Sequence, residues 1–554
     1  MSLKPEPIDP VPEETARLAR AAFPTGNLYL RLRDELGTLY QDELFADLFP
    51  SRGQPAEAPW RLALVTILQF AEGLSDRQAA DAVRGRIDWK YVLRLSLADP
   101  GFDASVLSEF RTRLLDGAAE RVLLDRLLGW CRERELLKPR GRQRTDSTHV
   151  LAKVRALNRL ALVVETMRHA LDTLAVLLPN WLQAHSRAEW ADRYTRRVDD
   201  ARLPASQDAR AALAATIGAD GSALLGAAYA EDAPAWLRFV PAVETLRRVW
   251  VQNDTFTAGQ VTWRPDNDIP PAAQFISSPY DGDAHDARKH TTTWVGYKVH
   301  FTETGEEDTP CRITQVTTTT GPIVDGEATP KIHAALDERA LLPGTHIVDT
   351  GYVDAELLMT SRRDYGIDLL GPARPDAHWQ ARANEGFAAA QFRIDWDRQQ
   401  AMCPAGHASS SWTPAVDNRR TDVSKIKFSA THCRPCPFRK QCVHSGKKYP
   451  RRTLTVRPQA QYEALQAARQ RAQTPEYAAT YARRAGIEGT LSRGVRRCGL
   501  RRTRYIGQAR THLGHVLTAV ALNVLRVSEW LSGIARPKTR HSPFEQLLAS
   551  AAST

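Results

Sequence analysis

The sequence predicts a mixed α/β protein, with a sheet-forming core preceded by a helical region and interrupted by two insertions. Strand patterns that alternate or are rich in β-branched residues occur at 144–151, 291–301, 312–320, 345–349 and 368–371. Helical spacing fills the stretch before the first strand and returns between the first and second, whereas residues 374–457 lose the α/β rhythm. A chain of 554 residues is long enough for such an arrangement.

The charge of the chain indicates a polyanionic partner. The formal net charge is +11, and the clustering of arginines favours nucleic acid over a membrane surface. No apolar run of about 18 residues is evident, and the N-terminus lacks the hydrophobic stretch of a signal peptide. Seven cysteines in so long a chain fit a reducing compartment. We therefore expect a cytoplasmic protein with no membrane partner.

The helical region contains two helices joined by a short turn. Ser75 and Gln78 form a capping box that predicts a helix at 76–83, and a second helix is expected at 88–93. As a helix-turn-helix, this pair would present Lys90 to DNA phosphates. As a plain helical bundle, its aromatic residues would be core. The residues leave both interpretations open.

Two aspartates lie where the strand patterns suggest a specific role. Asp146 stands inside the first strand, where propensity disfavours an Asp. Asp349 follows an apolar strand and precedes Gly351, which is how α/β folds present a carboxylate at the C-terminal end of a strand. A turn residue and a helix cap are the respective alternatives. His149 is a further candidate metal ligand near Asp146.

A third carboxylate lies in a strongly basic stretch. Tyr481, Arg484 and Glu488 are three and four residues apart, so they share one face of a predicted helix. Between Arg493 and Arg510 the sequence has seven arginines and no acid. Glu488 is therefore either an internal ion-pair partner of these arginines or a metal-binding group facing a phosphate backbone.

Four cysteines have the spacing of a metal site in a region with few apolar runs. They predict a structural Zn²⁺ site, while an iron–sulfur cluster and free thiols are the alternatives. His407 and His444 are possible replacements for one of the thiolates. The four residues are Cys403, Cys433, Cys436 and Cys442.

The order Tyr-x2-Arg-x3-Glu, from Tyr481 to Glu488, resembles the signature of the DDE transposases of bacterial insertion sequences. Asp349-x-Gly and the stretch 296–300 (Gly-Tyr-Lys-Val-His) are similar to other parts of that family. The resemblance covers roughly 50–155, 278–371 and 400–530. The family signature continues with a Lys seven residues after the Glu, but this position is Val495 here, and Arg496 and Arg497 follow it.

The resemblance implies an RNase H-like core in which Asp146, Asp349 and Glu488 hold two Mg²⁺ (or Mn²⁺) ions and cleave and transfer DNA strands. It implies double-stranded DNA as the partner, comprising the terminal inverted repeats and the target, bound by a homodimer. A non-catalytic DNA-binding regulator and a nuclease that only hydrolyses are the alternatives. The expected DNA contacts are Lys90, Lys298, Tyr481, Arg484, Arg493, Arg496, Arg497, Arg501 and Arg502.

These patterns together predict the domain organisation. We expect a flexible arm (1–27), a helical DNA-binding domain (28–138), the first part of the core (139–155 and 246–373), a helical insertion without evident chemistry (156–245), a Cys-rich zinc insertion (374–457), the last part of the core (458–535) and a tail (536–554).

Overall fold

The computed structural model describes residues 2–198, 203–257, 260–289, 291–376, 378–382, 387–418, 420–443 and 450–534. The predicted tail and His444 lie outside these residues. In chain order the strands are β1 (Arg140–Leu151), β2 (Asp254–Thr257), β3 (Gln260–Trp263), β4 (His285–Lys289), β5 (Thr292–Thr304), β6 (Ile313–Thr320), β7 (Pro343–Ile347), β8 (Asp368–Leu370), β9 (Arg393–Asp395), β10 (Gln400–Met402), β11 (Ser411–Val416), β12 (Asp422–Lys427) and β13 (Thr453–Val456).

Helices precede, interrupt and follow the strands. In chain order they are α1 (Glu13–Ala22), α2 (Leu28–Leu36), α3 (Pro59–Glu72), α4 (Asp76–Gly85), α5 (Ile87–Val92), α6 (Ser105–Asp116), α7 (Val122–Glu133), α8 (Arg159–Leu177), α9 (Pro179–His185), α10 (Glu189–Tyr194), α11 (Gln207–Ala228), α12 (Pro241–Asn253), α13 (Asp325–Asp337), α14 (Ala355–Tyr365), α15 (Trp379–Arg382), α16 (Ala430–Cys433), α17 (Arg439–Cys442), α18 (Gln459–Arg471), α19 (Pro475–Ala482), α20 (Ala485–Cys498) and α21 (Gln508–Leu531).

The central sheet is mixed, which confirms the predicted α/β core. Its order is β6-β5-β1-β7-β8, and β4 pairs with the first residues of β5. Strand β5 is antiparallel to β1 and β6, whereas β7 runs parallel to β1 and β8 parallel to β7. All five strands predicted from sequence are therefore present, and they are neighbours in one sheet.

Helix α21 joins the central sheet to the N-terminal helices. It is buried along most of its length, and its apolar residues belong to one cluster with residues of α3, α7 and α20 and with Phe301 and Val316 of the sheet. Burying one large apolar side chain contributes roughly 1.5–3 kcal/mol, so this shared core holds the helical region firmly on the sheet. The predicted packing of this helix on the sheet is confirmed.

The N-terminal helices form a bundle. The capping box of Ser75 and Gln78 is present, but α5 is buried, with Trp89 and Leu93 fully enclosed. A recognition helix has to expose side chains to a groove, so the bundle interpretation is the one that this structure supports. The expected flexible arm also differs, because residues 13–22 form α1, which packs against α5 through Ala19.

The helical insertion has a core of its own, in which Trp190 and Trp250 are buried. Trp236 is half exposed. Helix α11 is long and apolar enough to span a membrane by length and composition, a helix that the sequence search for apolar runs missed. Core helices of globular proteins pass the same test, and Asp220 of α11 is buried, where it accepts a hydrogen bond from Tyr194.

Candidate active site

The central strands bring two carboxylates together. Asp146 lies on β1, and its Oδ1 accepts the Ser147 amide at 2.8 Å. Asp349 follows β7 and caps the short turn after it, with Oδ1 accepting the Gly351 amide at 2.7 Å. The alternative expected for Asp349, a cap of the helix that begins near Val353, is not what the structure shows, because Asp354 caps α14; Asp349 caps only the preceding short turn, and it uses one oxygen to do so. The Oδ2 atoms of both residues face Arg484.

Arg484 contacts all three predicted carboxylates. Its Nη2 lies 3.0 Å from Asp146 Oδ2 and 3.8 Å from Asp349 Oδ2, and its Nη1 lies 2.9 Å from Glu488 Oε1. The Arg484, Asp146 and Asp349 side chains are largely enclosed, whereas the Glu488 side chain is 63% exposed. Three acids that are far apart in the sequence therefore surround one guanidinium.

The helix carrying Glu488 differs in one respect from the prediction. Helix α19 ends at Ala482, and α20 begins at Ala485, so Arg483 and Arg484 form a tight turn between two helices. Tyr481 lies four residues after Tyr477 in α19 and stacks on it, with ring centroids 5.6 Å apart. The turn places the Arg484 side chain among the carboxylates.

Burial and neighbouring charges act against each other at this site. Burial raises the pKa of Asp146, while Arg484 and the Ser147 amide act to lower it. Burial also acts against the charge of Arg484, but Asp146 and the hydrogen bond to Glu488 outweigh it and raise its pKa. The site is therefore a compact group of opposite charges, in which Arg484 favours the ionised form of Asp146 and Asp146 favours the charged form of Arg484.

A buried ion network fixes α20 against β1 and β5. Glu303 of β5 is fully buried and accepts hydrogen bonds from Arg144 at 2.8 Å, from Arg526 at 2.9 Å and from Thr490 at 2.6 Å. Arg144 lies two residues before Asp146, and it also donates to the Arg483 carbonyl in the turn before α20. The network therefore sets the approach of Arg484 and Glu488 to Asp146.

Gly486 is required by the same network. A Cβ atom at this position would lie 2.2 Å from Arg144 Nη1 and 2.4 Å from its Cζ. The first turn of α20 is thus in direct contact with the guanidinium of Arg144. A larger residue would displace either the helix or a guanidinium that is bonded to Glu303.

A fourth carboxylate that the sequence did not single out lies beside the site. Asp325 begins α13, and its Oδ1 is 3.3 Å from Ser147 Oγ and 3.2 Å from Lys298 Nζ. A Cβ at Gly351 would lie 3.3 Å from Asp325 Oδ2 and 2.9 Å from Asp349 Oδ1. Its place at the first turn of a helix that follows a sheet strand was the available sequence signal.

Two transposase family models match the chain. The Transposase DDE domain matches residues 402–528, and the Transposase domain (DUF772) matches residues 19–113. The resemblance to the DDE transposases of insertion sequences is confirmed. The first match contains Glu488, whereas Asp146 and Asp349 lie outside both. No curated protein matches the chain.

The expected DNA contacts fall into two groups. Arg496, Arg497, Arg501 and Arg502 are exposed on α20 and the segment after it. Arg497 also donates from Nε to the Ala71 carbonyl at the end of α3, so part of its side chain joins α20 to the N-terminal helices. Val495, at the position of the family's Lys, packs against the core.

The other expected contacts are engaged within the protein. The Lys90 side chain is buried, and its ammonium donates to the Ser96 and Asp99 carbonyls, so this structure does not present it to a DNA phosphate. Arg493 pairs with Glu529. Lys298 pairs with Asp325, which contacts the residue after Asp146. His149 packs on the Trp294 ring, with centroids 5.4 Å apart.

The four predicted zinc ligands line one small cavity of about 30 Å³. Their thiols are half-buried, and the Cys403 sulfur accepts the His407 amide at 3.3 Å. Burial, chiefly, raises the pKa of Cys442 to about 11. Within the part of the chain that the structure describes, however, no group of three or more His, Cys, Asp or Glu side chains has the spacing of a metal site.

Proposed function

We propose that the chain is a DNA transposase that binds the ends of an insertion sequence and catalyses metal-dependent strand cleavage and strand transfer. The observation that carries this proposal is the meeting of Asp146, Asp349 and Glu488 at Arg484. The family matches support the transposase function independently of that geometry.

The strand order supports an RNase H-like core. Three antiparallel strands are followed by two that run parallel to β1. The first carboxylate lies on β1, the second follows the neighbouring strand β7, and the third comes from a helix in contact with β1. This arrangement can hold a nucleic acid strand against three acids that come from two neighbouring strands and one helix.

The donor chemistry of the three acids fits Mg²⁺ or Mn²⁺, which prefer carboxylate oxygen ligands. Two such ions, when bound, would activate the attacking oxygen and stabilise the leaving oxygen of an in-line displacement at phosphorus. Asp146 and Asp349 would hold them through the Oδ2 atoms that now face Arg484, and Glu488 through its exposed carboxylate. Arg484 would have to leave these oxygens, and it then provides a guanidinium for the DNA phosphate.

The DNA is double-stranded and is held through phosphates. Arg496, Arg501 and Arg502 supply exposed positive charge on α20 and the segment after it, and Arg501 donates to Thr148 on β1, two residues after Asp146. Binding through such contacts weakens steeply as salt rises. We also propose that a homodimer holds the two element ends, and that the four cysteines bind one structural Zn²⁺, because they converge on one cavity.

The decisive experiment measures cleavage and joining of labelled element ends in the presence of Mg²⁺ or Mn²⁺. Glu488→Gln keeps the size of the side chain but removes its charge, so cleavage should fall by at least about a hundredfold, while binding to the ends is retained. Glu476→Gln, at an exposed position of α19, is the matched control and should cleave normally.

Three other outcomes would contradict the proposal. Loss of both DNA binding and folding in Glu488→Gln would identify Glu488 as an internal ion-pair residue. Cleavage without joining by the wild-type chain would identify a nuclease that only hydrolyses. Binding without any metal-dependent cleavage would identify a DNA-binding regulator.

A further inference from the structure

A second group of charges lies near Asp146. Its centre is Asp325, whose side chain is 10% exposed. Asp325 contacts Ser147, the residue after Asp146, and lies across Gly351 from Asp349. The group therefore borders both strand carboxylates.

Two lysines approach Asp325, and they differ in how they are bound. The Lys298 ammonium is 3.2 Å from Asp325 Oδ1, donates as well to the Ile323 carbonyl and is 12% exposed. The Lys289 ammonium is 3.9 Å from Asp325 Oδ2, which is beyond hydrogen-bond distance, and its side chain is 51% exposed. Lys298 is thus held within the protein, whereas Lys289 is a solvent-facing cation at the edge of the site.

Lys289 is linked to Asp146 through Asp325, which lies near the Lys289 ammonium and contacts Ser147, the residue after Asp146. An ammonium that is near a reaction centre and not hydrogen-bonded to its carboxylate partner can turn to a phosphate oxygen without breaking a strong contact. A lysine ammonium binds phosphate as a point charge, so it needs no fixed orientation.

We propose that Lys289 contacts a phosphate of the DNA strand bound at Asp146 and Asp349, and that Asp325 is the positioning residue that keeps its ammonium there. This inference rests on the proposed function. Lys289 forms no bond with the substrate. It balances negative charge on the phosphate during displacement, and this charge is what phosphoryl-transfer sites have to stabilise.

The test combines variants of the chain with DNA ends that carry one uncharged methylphosphonate, placed in turn at each position flanking the cleaved bond. Lys289→Ala should cleave unmodified ends about a hundredfold more slowly, and Lys289→Arg should restore most of the rate. In the wild type, a methylphosphonate at one position should slow cleavage, and in Lys289→Ala the methylphosphonate at that position should no longer slow it. In Asp325→Asn the slowing by the same methylphosphonate should be smaller than in the wild type. Lys425→Ala, which removes an exposed strand lysine outside the central sheet, should leave it unchanged.

The outcomes separate this inference from the proposed function. If the wild type cleaves and Lys289→Ala cleaves as well as Lys425→Ala, Lys289 has no role at the site and the inference fails alone. It also fails if Lys289→Ala is slow but every methylphosphonate remains as costly as in the wild type, since a structural defect would do that. If the wild type binds ends and cuts none, the proposed function fails, and the inference fails with it.

Discussion

Replacing Glu303 by Gln is the perturbation that best tests how the site is held together. The substitution keeps the shape of the side chain and removes the carboxylate that pairs with both Arg144 and Arg526. Glu303 is fully buried, and the two arginine side chains are 9% and 15% exposed. Two positive charges in the interior would therefore lose this shared counter-charge.

The magnitude follows from this burial. Removing one partner of a buried ion pair typically costs about 3–5 kcal/mol, and here one residue serves two cations and Thr490. Glu529→Gln is a matched control, because Glu529 pairs with Arg493 and also joins α21 to α20. Those two side chains are 34% and 26% exposed, so the control should cost less than about 1 kcal/mol.

The pH dependence has a definite sign. Burial alone would raise the pKa of Glu303, but Arg526, Arg144 and Thr490 outweigh it and lower the pKa. A carboxylate with a lowered folded pKa contributes stability above its unfolded pKa of about 4.3, and this contribution is lost as pH falls through the folded value. The wild type should lose this stability on acidification, and Glu303→Gln should lack that part of the pH profile.

Hydrogen exchange of the β5 amides gives the free energy of opening of the central sheet separately from the helical insertion. Glu303→Gln should lower that free energy by several kcal/mol, and it should lower DNA cleavage too, because the turn carrying Arg484 is held by Arg144. Equal destabilisation by Glu303→Gln and Glu529→Gln would refute the reasoning. It would also be refuted if Glu303→Gln lost as much stability on acidification as the wild type does.

Three further predictions concern separate parts of the chain. Gly486→Ala should lower the melting temperature because its Cβ meets Arg144, whereas Gly489→Ala, with open space in the same helix, should raise stability by roughly 0.5–1 kcal/mol; a gain in both would contradict the contact. Cys436→Ser should abolish binding of one Zn²⁺ per chain and unfold the small sheets around it, and elemental analysis that finds iron, or no metal in the wild type, would contradict the site. Arg502→Ala should reduce the slope of DNA affinity against salt by about one unit, while Lys90→Ala should leave the slope unchanged; the reverse order would show that Lys90 reaches DNA.

Much of the central sheet was predictable because short sequence patterns indicate individual strands. Alternation gave the strands, and Asp146 stood out because strand propensity argues against an Asp at that position. The bounds shifted by a few residues, as with β1, which begins at Arg140. Helix α5 was predicted, but its role could not be assigned from its sequence, because that role depends on the burial of residues 88–92 and on the carbonyl oxygens to which Lys90 donates.

The support of the site could not be predicted because it depends on long-range pairing. Glu303 meets Arg144 from 159 residues away and Arg526 from 223 residues away. In sequence Glu303 is an ordinary polar residue near a strand end, and its burial depends on α20 and α21 closing over it. Asp325 was missed for a similar reason, since only the folded sheet brings it to Ser147.

The position of Arg484 joins the two interpretations that the sequence left open for Glu488. An arginine among three carboxylates is an internal ion-pair cluster, and it is also the charge arrangement that a divalent-cation site has when a protein cation occupies it. Because Glu488 is mostly exposed while Asp146 is enclosed, the cluster is open on the side of α20 and closed on the side of the sheet. A cation or a DNA phosphate would therefore reach it past Glu488, which belongs to the same helix as the exposed Arg496 and Arg497.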